Sequence, residues 1–182
     1  MKKIVNHFIM AGAGAGGALF SNSIIYICRH DASGAFGIII NKPSRMSVAD
    51  LLKETPKAAD SNVNKMIMHG GPVKRDQVFI LHSPPQEYDV TIKVGEDIGV
   101  TLSKDILEAI EQKRAPEKML FACGYTGWDG GQLEEEISEN IWIVLPASAD
   151  IIFDFPPSER ISEATRRFGF EMGDLSSTPG HA

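Results

Sequence analysis

Two long apolar runs near the start of the chain predict a pair of central strands. Ser23–His30 and Ala35–Asn41 are rich in β-branched residues and apolar at nearly every position, which is typical of strands buried on both faces. Asp31–Gly34 joins them, with aspartate at its start and glycine at its end, and this favours a tight turn. The pattern predicts a central hairpin that ends at Lys42-Pro43, because proline cannot donate to a strand ladder.

Shorter runs elsewhere predict an irregular mixture of strands and helices. Strands are expected at Val5–Ala11, Lys65–His69, Gln77–His82, Val90–Val94, Lys118–Ala122 and Ile141–Leu145. Helices are expected at Ser47–Glu54, Ser103–Gln112, Gln132–Glu139 and Pro157–Phe168. Because strands and helices do not alternate with a regular βαβ period, the sequence favours an α+β fold over a doubly wound sheet.

Length, charge and cysteine content narrow the class of protein. The chain has 182 residues and 43% hydrophobic content, enough to bury a core in one domain or in two small lobes. Its net charge of −6 makes direct nucleic-acid binding an unfavoured role, because a phosphate backbone is usually met by a basic face. The two cysteines do not form a disulfide framework, and no window is long and apolar enough for a membrane span. A cytoplasmic protein without membrane contact is therefore expected.

A glycine-rich segment after the first strand matches a cofactor-binding pattern in part. Gly12–Gly17 reads G-x-G-x-x-G, as in dinucleotide-binding proteins. Only about six residues separate Gly17 from the next apolar run, too few for the helix whose N-terminus would hold a pyrophosphate. The chain also lacks C-x-x-C and H-E-x-x-H patterns. No cofactor and no metal are expected.

Cys28 and His30 are the candidate catalytic residues. They are two apart on a predicted strand, so we expect them on one face together with Tyr26. A thiolate beside an imidazole would suit a thiol-dependent enzyme or a redox sensor. The alternative is an inert buried thiol with a hydrogen-bonded histidine at the strand end, because apolar surroundings raise a thiol pKa. No other catalytic constellation is present, so an enzyme is expected less than a binding protein.

Two glycine-rich turns carry the candidate binding residues. One is the turn Gly70-Gly71-Pro72, and the other is the predicted loop Gly124–Gly131, in which Tyr125, Gly127 and Trp128 are the candidates. The rings of Tyr125 and Trp128 suit a ligand or a protein partner, whereas the structural alternative for this loop is a tight turn whose glycines allow positive φ, with Trp128 packed as a lid. If the binding interpretation holds, Trp128→Ala should weaken binding and leave the fold intact.

Several short motifs in a fixed order resemble the YqgE/AlgH family of small bacterial proteins. They are Asn6-His7-Phe8, Tyr26–His30, Gly37–Pro43, Gly70–Val73, Gly124–Trp128, Gly131–Glu134 and Gly180-His181-Ala182. The resemblance runs from about Val5 to Ala182 and implies a single domain over residues 1–182, with a mixed, branched, partly barrel-like sheet flanked by helices. One family branch is linked to alginate production and labelled a transcriptional regulator. The family supplies no agreed catalytic residues.

One segment departs from the family pattern. Where the family usually has Met-Pro and Asp-Pro pairs after the first strand, this chain has the Gly/Ala run Ala11–Ala18. A family function seated there is in doubt for this chain. The leading hypothesis is a non-enzymatic regulatory protein that binds an unidentified protein or small molecule and affects transcription, if at all, indirectly. The alternative is a thiol-dependent enzyme or redox sensor that uses Cys28 and His30.

Overall fold

The central hairpin forms where the apolar pattern predicts it. The computed structural model describes residues 3–12, 17–52 and 65–169. In it, strand β2 (Ile24–Asp31) pairs antiparallel with β3 (Gly34–Ile39), and nearly all of their residues are buried. The pair is central because a further strand lies on each side of it.

The other elements complete an α+β fold, as the sequence and the resemblance predict. The remaining strands are β1 (His7–Ala11), β4 (Pro43–Ser47), β5 (Met66–His69), β6 (Val73–Ser83), β7 (Thr91–Val94), β8 (Ile98–Thr101), β9 (Lys118–Asp129) and β10 (Trp142–Pro146). The helices are α1 (Gly17–Phe20), α2 (Val48–Leu52), α3 (Asp105–Glu111), α4 (Gln132–Ser138), α5 (Ala149–Phe153) and α6 (Arg160–Arg167), the last preceded by a 3-10 turn at Pro157–Glu159.

The ten strands form one curled, mostly antiparallel sheet that branches at β9. The main order is β10-β1-β2-β3-β9-β6-β8-β7. On one edge, β9 pairs with β3 through Thr126–Asp129 and with β5, in parallel, through Ala122 and Cys123. On its other edge, β9 pairs with β6. Strand β4 extends the branch by pairing with β5. This confirms the branched, half-barrel sheet that the resemblance implies.

Apolar side chains fill the inside of the curl and two separate patches outside it. The inner cluster contains Phe8, Tyr26, Ile38, Leu81, Leu120, Ile151 and Ile152, so α5 helps to close the curl. One outer cluster lies under α4 and includes Ile25, Ile27, Trp128, Leu133 and Trp142. The other lies under α2 and α3 and includes Val48, Ile67, Phe121, Ile106 and Ile110. The sheet therefore has an inner face and an outer face, with helices on both.

The structure corrects several sequence-based element boundaries. The predicted loop Gly124–Gly131 is wrong, because β9 continues to Asp129 and pairs there with β3. Strand β4 was not predicted, since Pro43 reads as a strand end. Pro43 is tolerated in this strand because β4 pairs on one side only, with β5, at the edge of the branch. Strand β8 and helix α5 were also not predicted, and at four and five residues each is too short for a clear periodic pattern.

Some predictions fall on residues outside the described ranges. These are the middle of the Gly12–Gly17 pattern, the end of the helix predicted at Ser47–Glu54, and the C-terminal motif Gly180-His181-Ala182. Of the helices within the described ranges, none combines the length and the apolar character needed to cross a bilayer.

Candidate functional site

Gly70 and Gly71 lie at the branch of the sheet, where backbones approach closely. The Gly70 N–H donates to the Cys123 carbonyl at 2.8 Å, and the Gly70 carbonyl accepts from Ile39 N–H at 2.9 Å. A Cβ at Gly70 would lie 2.2 Å from the Gly124 carbonyl oxygen, and one at Gly71 would lie 2.1 Å from the Tyr125 carbonyl carbon. Gly124 itself has φ of 75°, a conformation that glycine adopts without steric cost. The branch thus requires glycine whether or not a ligand binds.

Trp128 lies on β9 and packs into the outer cluster under α4. Its side chain is only 7% exposed, and its indole N–H donates to the Glu136 carboxylate at 2.8 Å. The same carboxylate oxygen accepts from the Trp142 indole N–H at 2.6 Å. The two indole rings meet edge to face with centroids 6.0 Å apart. Trp128 is therefore a structural side chain that also borders a groove.

That groove, here called the inner groove, opens beside the β2–β3 hairpin and has a volume of about 490 Å³. Its floor is a cluster of three rings from β3, β6 and β9, namely Phe36, Phe79 and Tyr125, whose centroids lie 5.2–5.6 Å apart. All three rings belong to the inner cluster or pack against it. Gly127 and Trp128 also line the inner groove, so three of the predicted binding residues meet there.

The rim of the inner groove carries polar groups without partners. Within the described part of the chain, neither the Tyr125 hydroxyl nor the Lys74 ammonium group nor the Gln77 carboxamide makes a hydrogen bond. Arg29, also on the rim, pairs with Asp31 at 3.4 Å, and both side chains are about half exposed. Phe36 and Phe79 are buried, so the half-buried Tyr125 offers the accessible ring of the floor, and the rim offers donors for polar substituents.

A second groove, here called the outer groove, lies on the opposite face of the sheet. Its volume is about 810 Å³, and its lining includes Leu19, Lys42, Arg45, Met46, Arg75 and Cys123. It is assigned to the outer face because Cys123 packs against the cluster under α2 and α3. Gly71 lines the outer groove and Val73 lines the inner one. The exposed Pro72 between them lines neither groove, so the predicted binding residues do not all meet at one site.

The expectation that Cys28 and His30 lie on one face of the strand was wrong. Ile27 pairs with Gly37 but Arg29 pairs with Phe36, so Cys28 is the extra residue of a β-bulge. The bulge interrupts the strand's alternation. The Cys28 thiol joins the inner cluster with Tyr26, whereas His30 points to the outer face beside α4.

The local chemistry of both residues is that of partnered core groups. Burial raises the pKa of the Cys28 thiol, which donates to the Tyr26 carbonyl at 3.5 Å. The His30 Nδ1 atom accepts from the Ile4 N–H at 3.3 Å. Its Nε2–H therefore donates to the Glu134 carboxylate, at 2.8 Å. In the described ranges, no three His, Cys, Asp or Glu side chains converge as metal ligands.

Sequence reasoning missed the cations of the outer groove and the polar rim of the inner groove. Lys42, Arg45 and Arg75 come from three separate segments, and no local pattern joins them. Gln77 stands on a strand that was predicted too short at its N-terminal end to include Lys74. A faint signal existed in Met46, an exposed apolar residue beside Arg45 in a polar segment.

Comparison with known proteins places this architecture in a family. The AlgH-like family profile matches residues 8–173. The chain belongs to the AlgH-like family. A UPF0301 protein from Chromobacterium violaceum is 41% identical over 179 residues, covering 97% of this chain and 96% of the relative. A UPF0301 protein from Vibrio parahaemolyticus is 38% identical, covering 98% of this chain and 99% of the relative.

Solved structures agree with the family assignment. The solution structure of the AlgH protein from Pseudomonas aeruginosa superposes with a TM-score of 0.80 at 36% identity and covers both chains completely. The crystal structure of a Corynebacterium diphtheriae protein superposes with a TM-score of 0.75 at 22% identity, covering 98% of this chain and 93% of that one. The second likeness shows the fold alone. These matches confirm the resemblance stated from the sequence motifs.

Proposed function

We propose that this AlgH-like protein is a non-catalytic, cytoplasmic regulatory protein that binds a small planar ligand in the inner groove. The observation that carries the proposal is the meeting of Gly127 and Trp128 with the Tyr125 ring of the aromatic floor, beside unpartnered polar groups on the rim of the groove. A volume of about 490 Å³ lies within the usual range for small-molecule sites.

The chemistry of the groove favours a flat ring system with polar substituents. The Tyr125 ring meets the buried Phe36 and Phe79 rings edge to face, so it is already held in place and can contact a ligand ring with little loss of side-chain entropy. Polar substituents would receive donors from the Tyr125 hydroxyl, Gln77 and Lys74 on the rim. Neither cysteine lines this groove, which argues for binding rather than thiol chemistry.

In this proposal, the bound ligand regulates the contact of this protein with another protein. The net charge of −6 argues against direct contact with DNA, so any effect on transcription would be indirect. A mobility shift that persists at physiological salt and prefers one DNA sequence over random DNA would contradict this part of the proposal.

Titration with a defined panel of planar aromatic amides and acids, followed by NMR, tests the site. Binding should perturb the Tyr125 and Gly127 signals before those of the outer groove. Tyr125→Phe removes only the hydroxyl and should weaken binding up to about tenfold, the value of one hydrogen bond. Met46→Ala, in the outer groove, is the control and should have no effect. Perturbations confined to the outer groove, or equal affinity in Tyr125→Phe and Met46→Ala, would overturn the assignment.

A further inference from the structure

The outer groove combines exposed apolar walls with a concentration of positive charge. Leu19 and Met46 are 37% and 47% exposed, and both line this groove. Met46 and the half-buried Cys123 also supply polarizable sulfur atoms, which accommodate varied aliphatic shapes. Exposed apolar side chains that gather in one concavity are typical of a binding surface, whereas scattered ones are not.

The arginines of the outer groove differ from the others in the chain. Five of the seven arginines have hydrogen-bonding or ion-pair partners, namely Arg29, Arg114, Arg160, Arg166 and Arg167. Within the described ranges, Arg45 and Arg75 make no hydrogen bond or ion pair, and both line the outer groove. The guanidinium groups that the fold leaves unused are therefore collected at one site.

The remaining charges of the outer groove add to its excess of positive charge. Lys42 adds a third cation, and its ammonium group donates to the Leu19 carbonyl at 2.6 Å, which ties two walls of the groove together. Among the described residues of the lining, Asp50 is the one carboxylate, and it already accepts from the Ser47 N–H and hydroxyl at 2.8 and 2.7 Å. In the described lining, three cations thus face one carboxylate that already has partners, in a chain whose net charge is −6.

We propose that the outer groove binds an amphipathic organic anion, with an aliphatic chain along Leu19 and Met46 and a terminal phosphate or carboxylate on Arg45 and Arg75. Guanidinium groups bind both headgroups through paired N–H donors. An aliphatic body fits because His69 supplies the one ring among the lining residues that the structure describes, in contrast to the three-ring floor of the inner groove. A volume of about 810 Å³ accommodates a ligand of drug size. The proposal is independent of the ligand in the inner groove.

Calorimetric titration of the full chain with octyl phosphate, octanoate, octanol and inorganic phosphate tests the ligand class. Either octyl anion should bind with saturation, and octanol and inorganic phosphate should each bind at least about tenfold more weakly. The stronger of the two octyl anions then identifies the headgroup. Octanol binding as well as the anions would overturn the proposal, and so would inorganic phosphate binding as well as octyl phosphate.

Paired charge variants test the location. Arg45→Gln and Arg75→Gln should each weaken octyl phosphate binding about tenfold or more. Arg29→Gln removes one positive charge from the inner groove and should leave the affinity within about twofold, since exposed charges at a distance are screened. Equal losses in all three variants would mean nonspecific charge attraction and would overturn the site.

Cys123 gives a second readout that does not depend on the variants. Its half-buried thiol lines the outer groove, whereas the Cys28 thiol is only 2% exposed in the inner cluster. Saturating octyl phosphate should slow alkylation of Cys123 by iodoacetamide severalfold, and inorganic phosphate at the same concentration should not. An unchanged alkylation rate at saturation would contradict binding in this groove.

Discussion

The inner and outer grooves lie on opposite faces of one sheet and are built in different ways. The inner groove is lined by Tyr125 and Trp128, which the core needs for its own packing. The outer groove is lined by Arg45 and Arg75, which have no partners within the described ranges, and by Met46, which is exposed. Aromatic side chains can serve the fold and a ligand together, because a ring has two faces and an edge. Exposed charged side chains contribute little to stability, so Arg45 and Arg75 are available to a ligand at little cost to the fold.

The largest expected contrast between the two faces is in thiol reactivity. Cys123 should react with iodoacetamide in the native protein, whereas Cys28 should react only after global unfolding, slower by several orders of magnitude for a stability of about 5–15 kcal/mol. Burial raises the pKa of both thiols, so the Cys123 rate should keep rising as the pH passes the usual thiol pKa. Peptide mapping after timed alkylation measures both rates. Rapid native labelling of Cys28 would contradict its place in the inner cluster.

The second contrast is in the cost of removing a groove side chain. Trp128→Ala should lower the free energy of unfolding by about 3–5 kcal/mol, because it empties a core position and leaves the Glu136 carboxylate with one indole partner fewer. Met46→Ala should change it by no more than about 0.5 kcal/mol. Urea denaturation measures both. The sequence alone predicts instead that Trp128→Ala leaves the fold intact. A loss of only a few tenths of a kcal/mol in the free energy of unfolding would therefore contradict the structural prediction.

The third contrast is between Gly70, at the branch of the sheet, and the exposed Pro72 beside it. Gly70→Ala should destabilise the protein by about 1–3 kcal/mol, because the new methyl group would meet the Gly124 carbonyl oxygen. Hydrogen exchange should show the loss at the Ile39 and Gly70 amides, which bond across the branch. Pro72→Ala, in the exposed turn next to it, is the control. Equal stability of the two variants would mean that the branch tolerates a Cβ.

The smallest expected effect is on stability when the unpaired arginines are replaced. Arg45→Gln and Arg75→Gln should each change the free energy of unfolding by less than about 0.5 kcal/mol, because neither guanidinium has a partner within the described ranges. Arg160→Gln should be far more costly, since that buried guanidinium donates to the Ile40 and Phe155 carbonyls. Thermal unfolding compares the three. A large loss in Arg45→Gln would show that it serves the fold and not a ligand.

The elements that sequence reasoning found are those whose pattern is local. The β2–β3 hairpin has its turn and its apolar runs side by side in the chain, and the Ser47 cap with Asp50 is likewise a short-range pattern. The C-terminal half of β9 was missed because glycines at 124, 127 and 130 resemble a loop, and only pairing with β3 makes it a strand. The prediction that Cys28 and His30 share a face failed because a single bulged residue reverses the alternation of side chains between the two faces of the strand.

The sequence by itself determined the α+β class, the central hairpin, the family, and three of the residues that line the inner groove. These follow from periodicity, turn residues and ordered motifs, which are properties of neighbouring positions. The tertiary structure alone decided that Gly70 and Gly124 meet at a branch, that Cys28 and His30 face apart, and that Lys42, Arg45 and Arg75 share one groove. Each of these depends on which strands pair and in what register, and pairing joins positions that no local pattern connects.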